Sequence, residues 1–188
     1  VRVNDGRNAL LTTRERYDVI VIDGTPPIFS AGTVNLYSRE FVELAKSRLT
    51  PDGIVALWVP LPCFESEFWM IARNFTETFP QTMAWGQPRN SIDGVLLLGS
   101  SSPLAIDPKL ITRRAQERKL LAANPWLNEQ LAGEGSLVPD AALRSAAARY
   151  PSVTDDRPYT EFPLPRYLRR ERLQEGSQFV LAAGSTSP

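Results

Sequence analysis

The sequence predicts an α/β fold built around a mostly parallel sheet. Three observations carry this: helices and strands alternate over the first hundred residues, one strand is a continuous β-branched run, and the helix candidates have caps and stops where helices need them. Val1–Val3 reads as the end of a strand, followed directly by Asp5-Gly6 and a short helix over 7–13. Tyr17–Ile22 is the next strand, and its Val19-Ile20-Val21-Ile22 run is the pattern of a strand covered on both faces. Ser38 is placed to cap a helix over 39–49, whose apolar stripe is Phe41, Leu44, Ala45 and Leu49. Glu40 in its first turn and Lys46 and Arg48 in its last suit the helix dipole. Pro51-Asp52-Gly53 turns the chain into a strand over 54–59. A second helix follows with Ser66 as its expected cap, Phe68, Ile71, Ala72, Phe75 and Phe79 on one face, and Pro80 as its stop. Strands over 82–85 and 94–98, joined without a helix, are expected to form an antiparallel pair at one edge.

Beyond Ser100 the character changes. Asp107-Pro108 opens a helix rich in Arg and Lys, 141–150 is another short helix, and the residues from 177 onward read as a flexible tail. The expected organisation is an α/β unit over 1–102, a helical and loop extension over 103–176, and the tail over 177–188.

Composition narrows the chemistry. Lys+Arg and Asp+Glu number 21 each among the 188 residues, so the formal net charge is zero and long-range attraction to nucleic acid or an anionic membrane is not expected. No apolar run approaches the length of a membrane span, and the first residues do not read as a signal peptide. There is no His, which excludes imidazole bases, Ser-His-Asp triads and the usual zinc sites. Any proton acceptor is a carboxylate, Tyr, Lys or the single Cys63, which lies in a Pro-rich loop and reads as a structural thiol.

Asp5 and Asp23 each follow a predicted strand. In an open parallel sheet, ligands bind beyond the carboxyl ends of strands, so two acids at consecutive strand ends are expected to face one crevice. The alternative is that each caps its own turn, since Asp and Gly suit turns in any protein.

At this point the motifs resemble a known family. "YDVIVIDGTPP" followed by "LYSREFVELAKSRLTPDGIVALW" is similar to the second half of the spermidine synthase family of aminopropyltransferases, and "VNDGRNALL" is similar to the segment before it. "WVPL", "FTETFPQTMAW", "GVLLLGS" and "VTDDRPYTEFPLPR" look like a divergent branch whose members are often fused to membrane segments. The resemblance covers roughly residues 1–168. It implies a Rossmann-like domain of the S-adenosylmethionine-dependent methyltransferase type. It also implies Asp23 as the catalytic carboxylate, Asp5 as acceptor for the adenine amino group, Gly6 as the point of close approach to the base, and Gly24 and Thr25 beside the cosubstrate. Tyr37 and Trp58 are the implied substrate contacts. The implied cosubstrate is decarboxylated S-adenosylmethionine or S-adenosylmethionine itself, with no tightly bound cofactor and no metal, and the implied acceptor is a small amine in the cytoplasm. A membrane-associated parent carrying this chain as its cytoplasmic domain is also consistent with the branch.

The chain departs from the family in four places. Pro26 stands where the synthases place a second, diamine-binding Asp; the loop over 28–36 lacks the family's Gly-Pro-rich sequence; and Trp58 stands where they place a Gln. The glycine-rich turn and ribose-binding acid of the first βαβ unit are not found, so the expectation is the later half of a larger domain, inactive alone, with an exposed strand edge across which copies dimerise. Three classes of function stay open: aminopropyl transfer, methyl transfer on the same fold, and a non-catalytic assembly module. Asp155-Asp156-Arg157-Pro158 with Glu161 reads as a turn in which Arg157 bridges the acids, or, by resemblance, as a segment closing over the site. Those carboxylates lack the spacing of a calcium loop. Arg166, Arg169, Arg170 and Arg172 read as a solvated helix face.

Overall fold

The computed structural model describes residues 4–24, 32–86, 94–119, 122, 137–161, 169, 173–174 and 177–185. The expected strand end at Val1–Val3, the loop from Thr25 through Pro26, and Arg166, Arg170 and Arg172 lie outside the described residues.

In chain order the elements are α1 (Gly6–Thr12), β1 (Tyr17–Asp23), a 3₁₀ turn (Thr33–Leu36), α2 (Arg39–Ser47), β2 (Leu49–Pro60), β3 (Cys63–Phe64), α3 (Glu65–Thr78), β4 (Gln81–Trp85) and β5 (Gly94–Ser100). There follow α4 (Pro108–Glu117), β6 (Leu137–Pro139), α5 (Asp140–Ala147), β7 (Leu173–Gln174) and α6 (Gln178–Ser185). Local chemistry accounts for most of the boundaries. The Asp5 carboxylate accepts from Asn8 N at 2.8 Å and starts α1. Ser38 accepts from Phe41 N at 3.3 Å and starts α2, and Asp107 accepts from Lys109 N at 2.9 Å ahead of α4. The second helix differs from expectation: its N-cap is Phe64, which makes no side-chain cap bond, and Ser66 lies inside the first turn. The β3 pairing of Cys63 and Phe64 with Gln174 and Leu173 ends at Phe64, so the helix starts directly there with Glu65 and Glu67 at its positive end.

The main sheet has the order β1-β2-β5-β4-β6. β1 and β2 pair in parallel, and β5 runs against both β2 and β4, so β1, β2 and β4 all point the same way. The β4–β5 pair predicted from sequence is present, but it does not terminate the sheet. β5 inserts between β2 and β4, and β6 adds a strand beyond β4. Burial explains the placement. Six of the seven residues of β5 are buried, as an interior strand requires, whereas β4 alternates.

One sheet face is deeply packed. Ile20, Ile22, Val55, Leu57, Val59, Val95, Leu97 and Ala84 meet the apolar faces of α2 and α3, where Phe41, Ala45, Phe68, Ile71, Ala72, Phe75 and Phe79 are all buried. Such side chains contribute about 1.5–3 kcal/mol each. The two helix stripes read from sequence are therefore the core. On the opposite face of β1, Val19 and Val21 remain 58% and 67% exposed, so the two-sided burial expected of this strand is met on one side only. Residues 177–185 also differ from the expected tail. α6 buries Val180, and Phe179 sets its ring edge-on against Phe68 and Trp69 at 5.3 and 6.1 Å. Small residues there permit close helix packing rather than disorder.

The C-terminal end of α3 is tied down by cations from two neighbours. Arg144 of α5 donates to Phe79 O at 2.7 Å and to Thr76 O, and pairs with Asp140 at 2.7 Å. Lys46 of α2 donates to Thr78 O at 2.6 Å.

Gly99 of β5 lies flat under the Phe79 ring, where an added Cβ would fall 2.2 Å from Cδ2. Gly99→Ala is therefore expected to lower unfolding free energy by about 1–3 kcal/mol through overpacking, read as a shift of the urea midpoint at unchanged slope.

Candidate functional site

The parallel register places Asp23 opposite Trp58, so both residues emerge on the same sheet face at the carboxyl ends of β1 and β2. Asp23 ends β1 on the solvent side, while Gly24 behind it is buried. α1 and the 3₁₀ turn flank that strand end and form a cleft of about 810 Å³. Its lining includes Asp5, Gly6 and Arg7 from the start of α1, Ile22 and Asp23 from β1, and Thr33 and Asn35 from the 3₁₀ turn. The two acids singled out from sequence thus open onto one hollow. One oxygen of Asp5 is committed to capping α1, so the turn-capping alternative and the shared crevice both apply to this residue. An added Cβ on Gly6 would meet nothing within 4 Å, so the backbone there is open to the cleft.

The other expected contacts fall differently. Tyr37 is fully buried beneath the cleft rather than in it, and its hydroxyl donates to Gly24 O at 3.0 Å. Burial, with smaller contributions from the charges of Glu67, Asp23 and Cys63, pushes its phenol above the ordinary range, so it remains a donor. Trp58 is half-buried, and its indole lies over Gly94, where an added Cβ would sit 2.4 Å from Cε2. Packing accounts for this side chain. Cys63 is a buried free thiol whose pKa is pushed up, chiefly by burial, as suits a structural cysteine. Among the described residues no group of three or more His, Cys, Asp or Glu side chains is arranged to hold a metal ion.

The acidic cluster at 155–161 is tied to the site, but not through Arg157. Arg7, in the cleft wall, forms a two-pronged ion pair with Asp155, one prong being Nη1 to Oδ1 at 2.9 Å, and also donates to Asn35 O at 3.2 Å. Asp155 N donates to Glu40 Oε2 at 3.0 Å, and Arg39 N donates to Val153 O at 2.9 Å. Arg157 instead closes a backbone bridge with Thr154. Residues 153–157 therefore fasten α1 to the start of α2. Sequence reasoning missed Arg7 because its partner lies 148 positions away. The only local signal was an Arg directly after Asp5-Gly6.

A strand-end carboxylate, a second one at the start of a flanking helix and a cleft at the rim of this sheet define the class: an α/β domain of the Rossmann-like, methyltransferase type. Comparison with known proteins narrows it. Residues 1–85 match the spermine/spermidine synthase domain. A polyamine aminopropyltransferase of Saccharolobus islandicus (strain L.S.2.15 / Lassen #1) is 27% identical over 119 residues, covering 62% of this chain and 40% of the relative. The polyamine aminopropyltransferase of Moorella thermoacetica is 32% identical over 123 residues, covering 60% of this chain and 43% of the relative. A crystal structure of a probable spermidine synthase from Corynebacterium glutamicum superposes with a TM-score of 0.58 at 19% identity, over 82% of this chain and 53% of that one. The chain thus spans about 40% of the length of these curated relatives. Among the described residues no helix is long and apolar enough to cross a membrane.

Hydrogen bonding to Arg7 holds the Asp155 carboxyl below its ordinary value of 3.8, against the opposing effect of partial burial. A depressed folded-state value means that the stabilisation is complete above 3.8 and is lost as pH falls through the lower, folded value. Asp155→Asn should therefore be less stable than wild type at pH 7. The gap, measured by urea titration, should narrow only below about pH 4. Because the pair is part-exposed, the difference at pH 7 should be about 1 kcal/mol or less.

Proposed function

We propose that this chain is part of a polyamine-aminopropyltransferase-like enzyme in which Asp23 takes the proton of an attacking amine. The observation that carries this is the convergence of Asp5 and Asp23 on one cleft inside the segment that matches the family. Because the chain spans less than half of its curated relatives, the activity belongs to the protein in which such a cleft is complete.

Aminopropyl transfer places an amine nitrogen against the carbon beside a sulfonium. The N–C bond forms as the C–S bond breaks, the electron pair leaves on sulfur, and methylthioadenosine departs. The amine is protonated at neutral pH, and only the neutral form carries the attacking lone pair. A carboxylate at the strand end orients the ammonium by charge, takes its proton, and stabilises the cationic product nitrogen as it forms. Asp23 is exposed at that position and rigidly mounted on β1. The oxygen of Asp5 that does not cap α1 is assigned to the adenine amino group, with Gly6 admitting the base edge and Gly24 and Thr25 beside the sulfonium end. The cosubstrate is then decarboxylated S-adenosylmethionine, bound only for the turnover, and the acceptor is a small amine. A cytoplasmic location accompanies this proposal, supported by a lone buried thiol that asks for no oxidising compartment.

Self-association is part of the proposal as well. β1 is the outer strand of the sheet among the described residues, with exposed Val19 and Val21 beside its open edge, a surface that favours strand pairing between copies.

Two measurements check these points. Asp23→Asn is expected to lower aminopropyl transfer by about a hundredfold or more while methylthioadenosine affinity by calorimetry changes less than about twofold. Binding of S-adenosylmethionine alone, to the exclusion of the decarboxylated form, would turn the assignment to methyl transfer. In sedimentation velocity the chain should run as a dimer and Val21→Lys as a monomer; a monomeric wild type at high micromolar concentration ends the dimer proposal.

A further inference from the structure

The residue that follows Asp23 is held through its carbonyl by a buried phenol. We propose that Tyr37 is a positioning residue for Asp23: its hydroxyl clamps Gly24 O and thereby sets the direction in which the neighbouring carboxylate enters the cleft. The inference rests on the assignment of Asp23 as the reacting carboxylate.

Every polar group of Tyr37 is engaged. Its N–H donates to Val34 O at 2.9 Å, its hydroxyl to Gly24 O at 3.0 Å, and its carbonyl accepts from Asn74 Nδ2 at 2.7 Å. Asn74 is itself fully buried on α3 and donates from the same nitrogen to Val153 O at 3.0 Å. The phenol therefore hangs from a post fixed to α3 and to the 153–157 segment, and it is fully buried. A side chain so enclosed does not reach the cleft, and among the described residues its hydroxyl links it to Asp23 through Gly24. The fit at that point is close. An added Cβ on Gly24 would lie 3.0 Å from the Tyr37 hydroxyl and 3.3 Å from Leu36 Cδ1, so the peptide rests directly on the 3₁₀ turn. On its other side Asp23 is held by the β-ladder, opposite Trp58. Strand pairing fixes the backbone up to Asp23, and the Tyr37 bond holds the Gly24 carbonyl one peptide further on, so Asp23 is bracketed on both sides. Together they determine the Cα–Cβ direction of the carboxylate. A displacement of an ångström at a reacting group costs about a hundredfold in rate, so a single buried hydrogen bond has kinetic weight here. A Phe would fill the same apolar volume but could not donate to Gly24 O.

The test is a double-mutant cycle on the transfer reaction, with hydrogen exchange as a second readout. Tyr37→Phe should lower kcat by roughly tenfold to a hundredfold at nearly unchanged KM. In the Asp23→Asn background the same change should have little further effect, because a residue that acts through a carboxylate has nothing to act on once the carboxylate is gone. Equal losses in both backgrounds, or a full-rate Tyr37→Phe, overturn the proposal while leaving the assignment of Asp23 intact. An Asp23→Asn variant that retains full turnover overturns both. Independently of activity, amide exchange in the peptide spanning Ile22–Gly24 should quicken in Tyr37→Phe, and unchanged exchange there also overturns the clamp.

Discussion

The parallel pairing of β1 with β2 is the constraint on which the rest of this structure depends. It runs from Val19 opposite Ile54 to Asp23 opposite Trp58. Because side chains alternate along a strand, that register sends Ile20 and Ile22 into the helical layer and Val19, Val21 and Asp23 to the other face. A slip of one residue would bury the carboxylate and expose two isoleucines, losing several kcal/mol of apolar burial and desolvating a charge. The position of the site is therefore enforced by the core beneath it. The apolar run before Asp23 does more than end at a carboxylate; it holds that carboxylate at the rim of the sheet.

A second requirement is met far along the chain. The segment 153–157 returns to the cleft, where Asp155 meets Arg7 and the Val153 carbonyl accepts from both Arg39 N and Asn74 Nδ2. These contacts join α1, which carries Asp5, to the start of α2 and to α3. Most of the elements that flank the cleft begin within the first forty residues, yet their relative placement depends on a strap more than a hundred residues later. Many of the charges balanced in the composition are spent in such local pairs, including Arg144–Asp140 and Arg73–Glu77.

Much of the fold was legible because its signals are local. Ser38 and Asp107 cap the helices assigned to them, since an Asx or Ser side chain two or three residues before a free N–H acts within a single turn. The stripes on α2 and α3 face the core, because a 3.6-residue period leaves one face for it, although Leu44 is only partly buried and Leu49 begins β2 instead of ending the helix. Ser66 misled because strand β3, only two residues long and paired with residues 173–174, set the helix start from outside. α6 was missed because Ala, Gly and Ser resemble a tail in composition, and only a neighbouring aromatic pair, Phe68 and Trp69, shows that small residues are what lets the helix approach. Tyr37 illustrates the same limit. It was expected to contact a substrate and instead donates to the Gly24 backbone, because whether a phenol faces a cleft or the backbone is decided by packing.

The sequence alone determined the alternation of elements, the strand end that carries Asp23, the helix start that carries Asp5, and the likeness of residues 1–85 to the spermine/spermidine synthase domain. Those properties reside in residue type and short-range spacing, which are written directly in the chain. Only the tertiary structure decided that β5 enters the sheet between β2 and β4, that Arg7 rather than Arg157 receives Asp155, and that Tyr37 lies under the cleft. Each of these follows from long-range packing, in which partners 13 to 148 residues apart compete for the same space and the same hydrogen bonds. Spacing along the chain carries no record of that competition's outcome.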